Sequence, residues 1–378
     1  MVNFSQPNYS LSAFSSVLQN NAFVRDLMPL ARNYRRSIRL QGGFWEGSFD
    51  MMLPESEAQE VYYNWLGYHI EERAGAAISY EAMAYALELE VAGVRRRRGF
   101  ETFANHVKAN YTDTSSNPQT TAAATDAESI KRYGQYEEIL SPGEGEYAAA
   151  VANSRRDRYL ELYANAPSVP ISINLDGADD KAQGQIMGAR NAIVAVQLCG
   201  YIFTAQWKHV TTNDDATGNV SAWIDSIVTT DCEFLSSTQI TTNALQVKRT
   251  LGEAARAWDV LQDMTALGDG TSVYTLKVIP GRGVVYAPLD TTPQYYILPG
   301  GIFQRIGANQ TVNPWLLQPG IYRDMRYPVG GVPLDGATIY EDIRDILVEE
   351  VEVSQEGNVT LKTAAFEESE LLAGWASG

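Results

Sequence analysis

Histidine and cysteine are scarce in this chain of 378 residues, which contains three of the first and two of the second. His69, His106 and His209 are isolated, and none has another metal-binding residue at ligand spacing. Cys199 and Cys232 each stand in an apolar context, which is typical of small core residues. We therefore expect no metal site, no cofactor and no disulfide framework.

Sequence motifs of catalysis are also missing. The chain has no Gly-x-Ser-x-Gly elbow, no His-Glu-x-x-His and no Walker sequence. Gly281-x-Gly283 lacks the third glycine and the helix of a phosphate-binding loop, and the acidic runs 176–180 and 213–215 lack the bidentate glutamate of a calcium loop. We predict that the protein is not an enzyme and has no catalytic residue. A glycoside hydrolase stays open as an alternative, since 46 acidic residues always offer carboxylate pairs.

Long apolar runs are absent too. The longest, at residues 191–203, is interrupted by Gln197 and Gly200 and falls short of the roughly 20 residues that a membrane-spanning helix needs. Residues 1–6 lack the basic start and apolar run of a signal peptide. We expect no membrane span, and synthesis in a bacterial cytoplasm.

Basic residues are outnumbered, at 29 against 46 acidic ones, which gives a net charge of −17. Such a surface repels a phosphate backbone, so a dedicated nucleic-acid binder is not expected. The basic run Arg95–Arg98 departs from this balance. It fits either a solvated segment with acidic neighbours or a contact to an acidic partner subunit.

Aromatic residues are plentiful, with 21 Tyr and 7 Trp. Most are expected in the core or in cross-strand pairs. The loop-rich stretch 295–340 holds a surplus that suits either a protein interface or a sugar-binding face.

Hydrophobic periodicity predicts an α+β, mainly β protein: two β-barrel-like domains joined by a helical linker, plus a smaller α/β helix-on-hairpin domain. The boundaries are an N-terminal arm (1–34), a first β-barrel-like domain (35–125), a helical linker (126–170), a second β-rich barrel-like domain (171–245), a helix-and-hairpin plus loop-rich domain (246–365) and a C-terminal tail (366–378).

Individual elements are predicted from local signals. Strands are expected at 36–40, 44–49, 69–72, 105–111, 192–207, 220–224 and 227–235, with hairpins at 273–286 and around 355–358; residues 76–91 fit a strand or a helix. A helix is expected at 55–66 after Pro54, and a second at 146–165 with a core-facing stripe of Tyr147, Val151, Tyr159 and Leu162. A third begins at the capping box of Thr250 and Glu253 and ends at Gly268.

The order of these elements resembles the tail hub, or baseplate hub, proteins of long-tailed bacteriophages. The stretches that carry the resemblance are the Gly-Phe-Trp-Glu-Gly strand 43–47, the helix near 55–66, the strands that follow it up to 105–111, the linker segments 129–137 and 156–160, and the later strand, helix and hairpin at 218–227, 258 and 273–286. Residues 312–320, Val-Asn-Pro-Trp-Leu-Leu-Gln-Pro-Gly, are the most family-like, and the N-terminal arm has no counterpart in the family.

The resemblance implies a structural protein of the virion, made in the bacterial cytoplasm and located at the tail tip. It implies a homotrimeric ring that adapts the six-fold tail tube to a three-fold tip, with the tail tube or distal tail protein, a tip or fibre protein and the tape-measure protein as partners. Genome DNA only passes through the ring. A carbohydrate-binding or glycoside-hydrolase-like tail-tip protein that acts on the host surface is the alternative. The candidate subunit-contact residues are Arg95, Arg96, Arg97, Arg98, Tyr295, Tyr296, Trp315 and Trp375.

Overall fold

A computed structural model describes residues 9–91, 93–143, 145–173, 191–210, 217–248, 255–298, 300–308, 310–325 and 343–364. Strands dominate, and the predicted α+β, mainly β class is confirmed. The strands described do not close into a barrel. Eighteen of them form one extended sheet, and β8–β11 form a separate small sheet.

The first twelve strands are β1 Tyr9–Phe14, β2 Phe23–Asp26, β3 Ala31–Arg39, β4 Gly42–Pro54, β5 His69–Ala74, β6 Ala77–Val91, β7 Val94–Gly99, β8 His106–Thr112, β9 Pro118–Thr120, β10 Ala124–Thr125, β11 Glu137–Leu140 and β12 Val169–Ile173. The other twelve are β13 Asn191–Cys199, β14 Thr217–Asn219, β15 Ser236–Ile240, β16 Gln246–Lys248, β17 Tyr274–Ile279, β18 Gly283–Pro288, β19 Tyr295–Leu298, β20 Ile302–Arg305, β21 Gln310–Thr311, β22 Gly320–Met325, β23 Ile343–Ser354 and β24 Val359–Thr363.

The described α-helices are α1 Glu55–Asn64, α2 Ala127–Tyr133, α3 Ala149–Tyr163, α4 Val220–Asp231 and α5 Ala257–Leu267. Helix α1 starts after Pro54, where the absent N–H of proline costs no hydrogen bond, and it places acidic residues in its first turn as predicted. Helix α5 ends at Gly268, which has a positive φ, while the capping box of Thr250 and Glu253 lies outside the described residues.

The centre of the large sheet is built from alternating strands. From Gly47 onwards every second residue of β4 is buried, including Phe49, Met51 and Leu53, and the residues between them face outwards. Strand β13 lies between β4 and β6 and is antiparallel to both. Because β13 belongs to the predicted second domain and β4 and β6 to the first, strands of the two units share one sheet.

Residues of the predicted N-terminal arm dock on this sheet. Strand β1 is antiparallel to β5, and β2 folds back on β1 to form a hairpin. Leu11 and Ala13 of β1 are fully buried, so the arm is anchored by its own core residues.

Strands β8–β11, the residues directly before β8 and helix α3 form a small lobe in which α3 packs across β8. Its core consists of Ala104, Val107, Ala109 and Leu140, apart from the main hydrophobic core. The predicted core-facing stripe of α3 is confirmed at Tyr159, which packs on this core, and wrong at Val151 and Leu162, which are about half exposed. Ala152 is the buried residue of this helix.

Two other predictions are also corrected. Residues 220–231, predicted as strand, form helix α4, because Val220, Ile224, Ile227 and Val228 lie on one helical face that packs against α5. The long strand 192–207 ends at Cys199 and continues as a 3₁₀ helix, Tyr201–Gln206. Residues 76–91, for which both strand and helix were open, form strand β6.

Candidate functional site

The basic run Arg95–Arg98 lies on β7, where alternate side chains point to opposite faces. Arg95 and Arg97 both bind the buried carboxylate of Glu88 on neighbouring β6; the Arg97 Nη1–Glu88 Oε1 distance is 2.5 Å. Arg97 also pairs with Glu101 and donates to Oε1 of Gln197 at 2.8 Å. Burial lowers the pKa of Arg97, but its hydrogen bonds and charge attraction to Glu101 and Glu88 outweigh this and raise it. Two of the four arginines therefore have acidic neighbours within the chain.

Arg98 points into the protein and joins two helix ends. Its guanidinium donates to the carbonyl oxygens of Tyr63 at 2.6 Å, Ala166 at 2.8 Å and Asn165 at 2.9 Å. A fourth bond goes to the hydroxyl of Tyr133 at 3.1 Å. The carbonyls at the C-terminal ends of α1 and α3 have no partner within their helices and carry partial negative charge, so a cation there satisfies both. This buried connection was not expected from the sequence. Arg95 and Arg96 are both exposed, and Arg95 also pairs with Glu88.

Trp315 is buried instead of lying on an exposed loop. Its ring stacks on that of Tyr34 with 5.8 Å between centroids, and its carbonyl oxygen accepts a hydrogen bond from Arg36. Arg36 is fully buried and pairs with the carboxylate of Glu72 at 3.4 Å. Glu72 also accepts hydrogen bonds from the hydroxyl of Tyr34, at 2.9 Å, and from Ser79. The cluster joins β3, β5 and β6 to the loop before β22.

A small cavity of about 90 Å³ adjoins this cluster and is lined by Tyr9, Met28, Tyr34, Glu72 and Trp315 among others. Burial raises the pKa of Tyr9 to about 12 and that of Tyr34 well above its usual value. Both phenols therefore stay protonated, and the hydroxyl of Tyr34 keeps its proton for donation to Glu72.

The other predicted aromatic contacts have different positions. Tyr295 is buried on β19 with its ring centroid 4.8 Å from that of Tyr322, while Tyr296 is half-buried on the opposite side of the strand. Trp375 lies outside the described residues. The side chains of Tyr295 and Trp315 are thus occupied by contacts inside the chain, whereas that of Tyr296 is partly exposed to solvent.

The histidines are held by neighbouring polar groups. His209 donates its backbone N–H to Glu137 Oε2 at 3.0 Å, and its ring Nδ1 lies 3.3 Å from the same oxygen. Burial raises the pKa of Glu137, but the hydrogen bonds from His209 outweigh this and lower it to about 2. His69 bonds to the hydroxyl of Tyr201 at 2.8 Å, and burial lowers the pKa of His106.

Both cysteines are buried and free, as expected. Burial raises the pKa of Cys199 well above its usual value and that of Cys232 to about 12. Their thiols are therefore protonated at neutral pH and unreactive as nucleophiles.

A polar groove of about 500 Å³ crosses the outer face of β3, β4, β13, β23 and β24. Charges of both signs line it: Arg39 pairs with Glu350 at 2.9 Å, and Lys362 pairs with the same carboxylate at 3.1 Å. The guanidinium of Arg39 also covers the ring of Trp45, 4.2 Å from its centroid. These charged groups already bind one another. The groove is therefore a surface of paired opposite charges and not a cluster of free reactive groups.

The described residues contain no group of three or more His, Cys, Asp or Glu residues placed to hold a metal ion. None of the helices in those residues has the length and apolar character required to cross a membrane.

Sequence reasoning missed Arg36 and Glu72, although a signal was present. Arg36 shares the buried face of β3 with Tyr34 and Ile38, and Glu72 shares that of β5 with Ile70. A charged residue at an inward position of a strand pattern predicts a buried ion pair, since an isolated buried charge costs too much free energy. The partners of Arg98 carried no comparable signal, because they are backbone carbonyls.

Comparison with known proteins gave matches among solved structures, including two tail proteins, and none by sequence. No protein-family model and no curated protein matches the chain. The 43 kDa tail protein of prophage MuSo2 from Shewanella oneidensis is similar at a TM-score of 0.39 and 6% identity, covering 94% of this chain and 97% of that one. The tail protein from Neisseria meningitidis MC58 is similar at 0.38 and 7%, covering 94% and 96%.

Both neighbours are tail proteins. At these TM-scores the likeness has no weight for function, which has to rest on the chain's own side chains.

Proposed function

We propose that this chain is a structural virion protein, the hub at the tip of a bacteriophage tail, and not an enzyme. The observation that carries the proposal is that the charged groups of the described clusters bind one another and hold strands and helices together. Glu72 binds Arg36, Glu88 binds Arg95 and Arg97, and Glu137 binds His209. Side chains committed in this way give rigidity and leave no free acid–base pair in those clusters.

A catalytic carboxylic acid needs a raised pKa and access to a substrate. Among the described carboxyl groups, Glu81 has a pKa raised by burial, but its side chain is buried and accepts the backbone N–H of Arg282 at 2.7 Å. Glu81 is absent from the lining of the polar groove. Its position therefore suits a structural hydrogen bond better than catalysis.

In the proposed assembly, three copies form a ring that adapts the six-fold tail tube to a three-fold tip. The tail tube or distal tail protein, the tip or fibre protein and the tape-measure protein are its neighbours. The ring belongs to the tail tip and is made in the host cytoplasm. Closed assembly covers strand edges, which otherwise promote aggregation in a β-rich protein.

The ring encloses the channel through which the genome leaves. A net charge of −17 suits this role, because an acidic lumen offers DNA no phosphate-binding contacts from which it must dissociate. The protein contacts DNA only as a passing polymer.

The alternative, a carbohydrate-binding or glycoside-hydrolase-like protein, relied on exposed aromatic residues in the stretch 295–340. Of these, Tyr295, Trp315 and Tyr322 are buried. The described part of that stretch therefore lacks the exposed aromatic platform on which the alternative depended. An assay for binding and turnover of host polysaccharide distinguishes the two functions, and the hub is expected to show neither activity.

Electron microscopy of the purified oligomer tests the hub directly. We expect a ring with three-fold symmetry and a central opening wide enough for duplex DNA, with acidic or neutral side chains along it. A particle without an opening, or a lumen lined by arginine and lysine, contradicts the proposal.

A further inference from the structure

Exposed apolar side chains lie near the C-terminal ends of α1 and α3 and on β12, which follows α3. Tyr63 is 47% exposed, Leu162 49%, Val169 50% and Ile171 46%. We name these four residues the junction patch. Large apolar side chains that are half exposed singly are ordinary, but a group of them on one surface indicates a binding site.

The proximity of these residues is fixed by Arg98. One guanidinium holds the carbonyls of Tyr63, Asn165 and Ala166, so the end of α1 and the turn between Leu162 and Val169 lie around it. The hydroxyl of Tyr62 also lies 2.7 Å from that of Ser168, directly before Val169. The hydrogen bonds of Arg98 and Tyr62 therefore hold the backbone that carries the patch.

Strand β12 is an edge strand within the described residues. It pairs with β7, and no second neighbour is described for it. Natural edge strands usually carry charged residues that prevent further pairing. Strand β12 has Pro170 and a bulge, which limit its hydrogen bonding, but Val169 and Ile171 present apolar side chains to solvent. These apolar side chains suit a surface that is covered on assembly.

A second exposed apolar group lies on the β1–β2 hairpin. Phe23 is 61% exposed, Val24 41% and Met28 49%, and we name these three residues the hairpin patch. Strand β2 pairs with β1, and no other strand is described beside it. This hairpin therefore offers a second apolar edge.

Exposed charges of both signs border the junction patch, including Glu161 next to Leu162. The exposed charge opposite β12 is nevertheless basic, and the one at the end of β2 is acidic. Arg96 is exposed on β7 opposite Pro170, next to Val169, whereas the exposed Asp26 ends β2 next to the hairpin patch. Two copies of a chain with a net charge of −17 repel each other in general. A contact between a basic and an acidic border offsets this repulsion and selects one orientation.

We propose that the hairpin patch of one copy docks on the junction patch of the next, with strands β2 and β12 side by side. This inference rests on the proposed hub and specifies how its copies meet. The two surfaces are different, so the contact is head-to-tail, and such a contact gives a ring when the rotation between copies closes.

Crosslinking tests this contact. The chain's two cysteines are both buried, so cysteines introduced on the surface react selectively. The full-length double variant Val24→Cys, Ile171→Cys, treated with a short bismaleimide, is expected to give covalent dimers and trimers on a denaturing gel. The matched control Val24→Cys, Ile302→Cys places its second cysteine outside both patches, at a residue that is 47% exposed. This control should run as single, uncrosslinked chains on the same gel. Equal crosslinking of both variants overturns the inference.

The mass of the oligomers that surface variants form in solution, measured over a range of protein concentrations, gives an independent test. Leu162→Ser with Val169→Ser should raise the protein concentration needed for half-assembly by about tenfold or more. The control Leu267→Ser with Ile302→Ser, of similar exposure, should leave it unchanged. Arg96→Asp should weaken assembly, and Asp26→Arg should restore it in the double variant.

The outcomes distinguish this inference from the proposed hub. A trimeric wild type whose assembly is insensitive to the patch variants contradicts the docking of these surfaces and leaves the hub standing. A wild type that forms no oligomer contradicts the hub, and the docking with it.

Discussion

Individual residues matter here mainly through buried charge. Arg36, Arg98 and Glu137 have their charged groups against specific partners, where a desolvated charge is stable only because those partners are present. These side chains connect elements that are distant in sequence. This structural role explains why they lie inside the protein while most of its charged side chains lie on the surface.

Replacing Arg98 by Met should lower the free energy of unfolding by about 3 kcal/mol or more, because the carbonyls at the ends of α1 and α3 lose their donor. Urea denaturation measures this change. The neighbouring control Arg96→Met, at an exposed position, should change stability by no more than about 0.5 kcal/mol. Equal effects of the two variants contradict the role assigned to Arg98.

The carboxyl of Glu137 predicts a pH dependence. Its pKa in the folded protein is about 2, below the usual value of 4.5, so its stabilising effect is present above pH 4.5 and is lost as the pH falls towards 2. Between pH 6 and about 3, the free energy of unfolding of Glu137→Gln should fall by roughly 2 kcal/mol less than that of the wild type. Denaturation curves recorded between pH 6 and about 3 test it; a variant whose stability falls as steeply with acid as that of the wild type refutes the assignment.

At the scale of elements, close packing between strands requires glycine at position 43 of β4. Gly43 on β4 has a φ of +74°, and a Cβ atom there would meet the backbone of Val278 on the parallel strand β17. Gly43→Ala should therefore cost more than about 2 kcal/mol. Gly300 has a φ of +87° with open space around it, so Gly300→Ala should cost only about 1 kcal/mol. Equal losses in thermal or urea unfolding would show that packing at Gly43 is unimportant.

The sequence predicted elements well where one face of the element is buried. Strands β4 and β8 and helix α1 followed their periodicity, because burial selects the side-chain pattern. It failed for α4, whose β-branched residues favour a strand locally while packing against α5 favours a helix. It also failed for the apolar stripe of α3, since periodicity finds an apolar face and does not show what covers it.

The candidate site was less predictable than the fold. The run Arg95–Arg98 was correctly singled out as unusual, but its four side chains have separate surroundings that depend on the pairing of β7 with β6 and β12. The junction patch combines residues from α1, α3 and β12, and no local pattern brings them together. Such surfaces follow from tertiary contacts and cannot be seen in a single stretch of sequence.

For the whole molecule, the exposed apolar edges favour a protein that works in an assembly. Light scattering behind a sizing column measures this most directly. Three chains of 41.7 kDa give about 125 kDa, which is the mass that the account predicts for the purified protein. A single species of one chain's mass at all concentrations tested would contradict it.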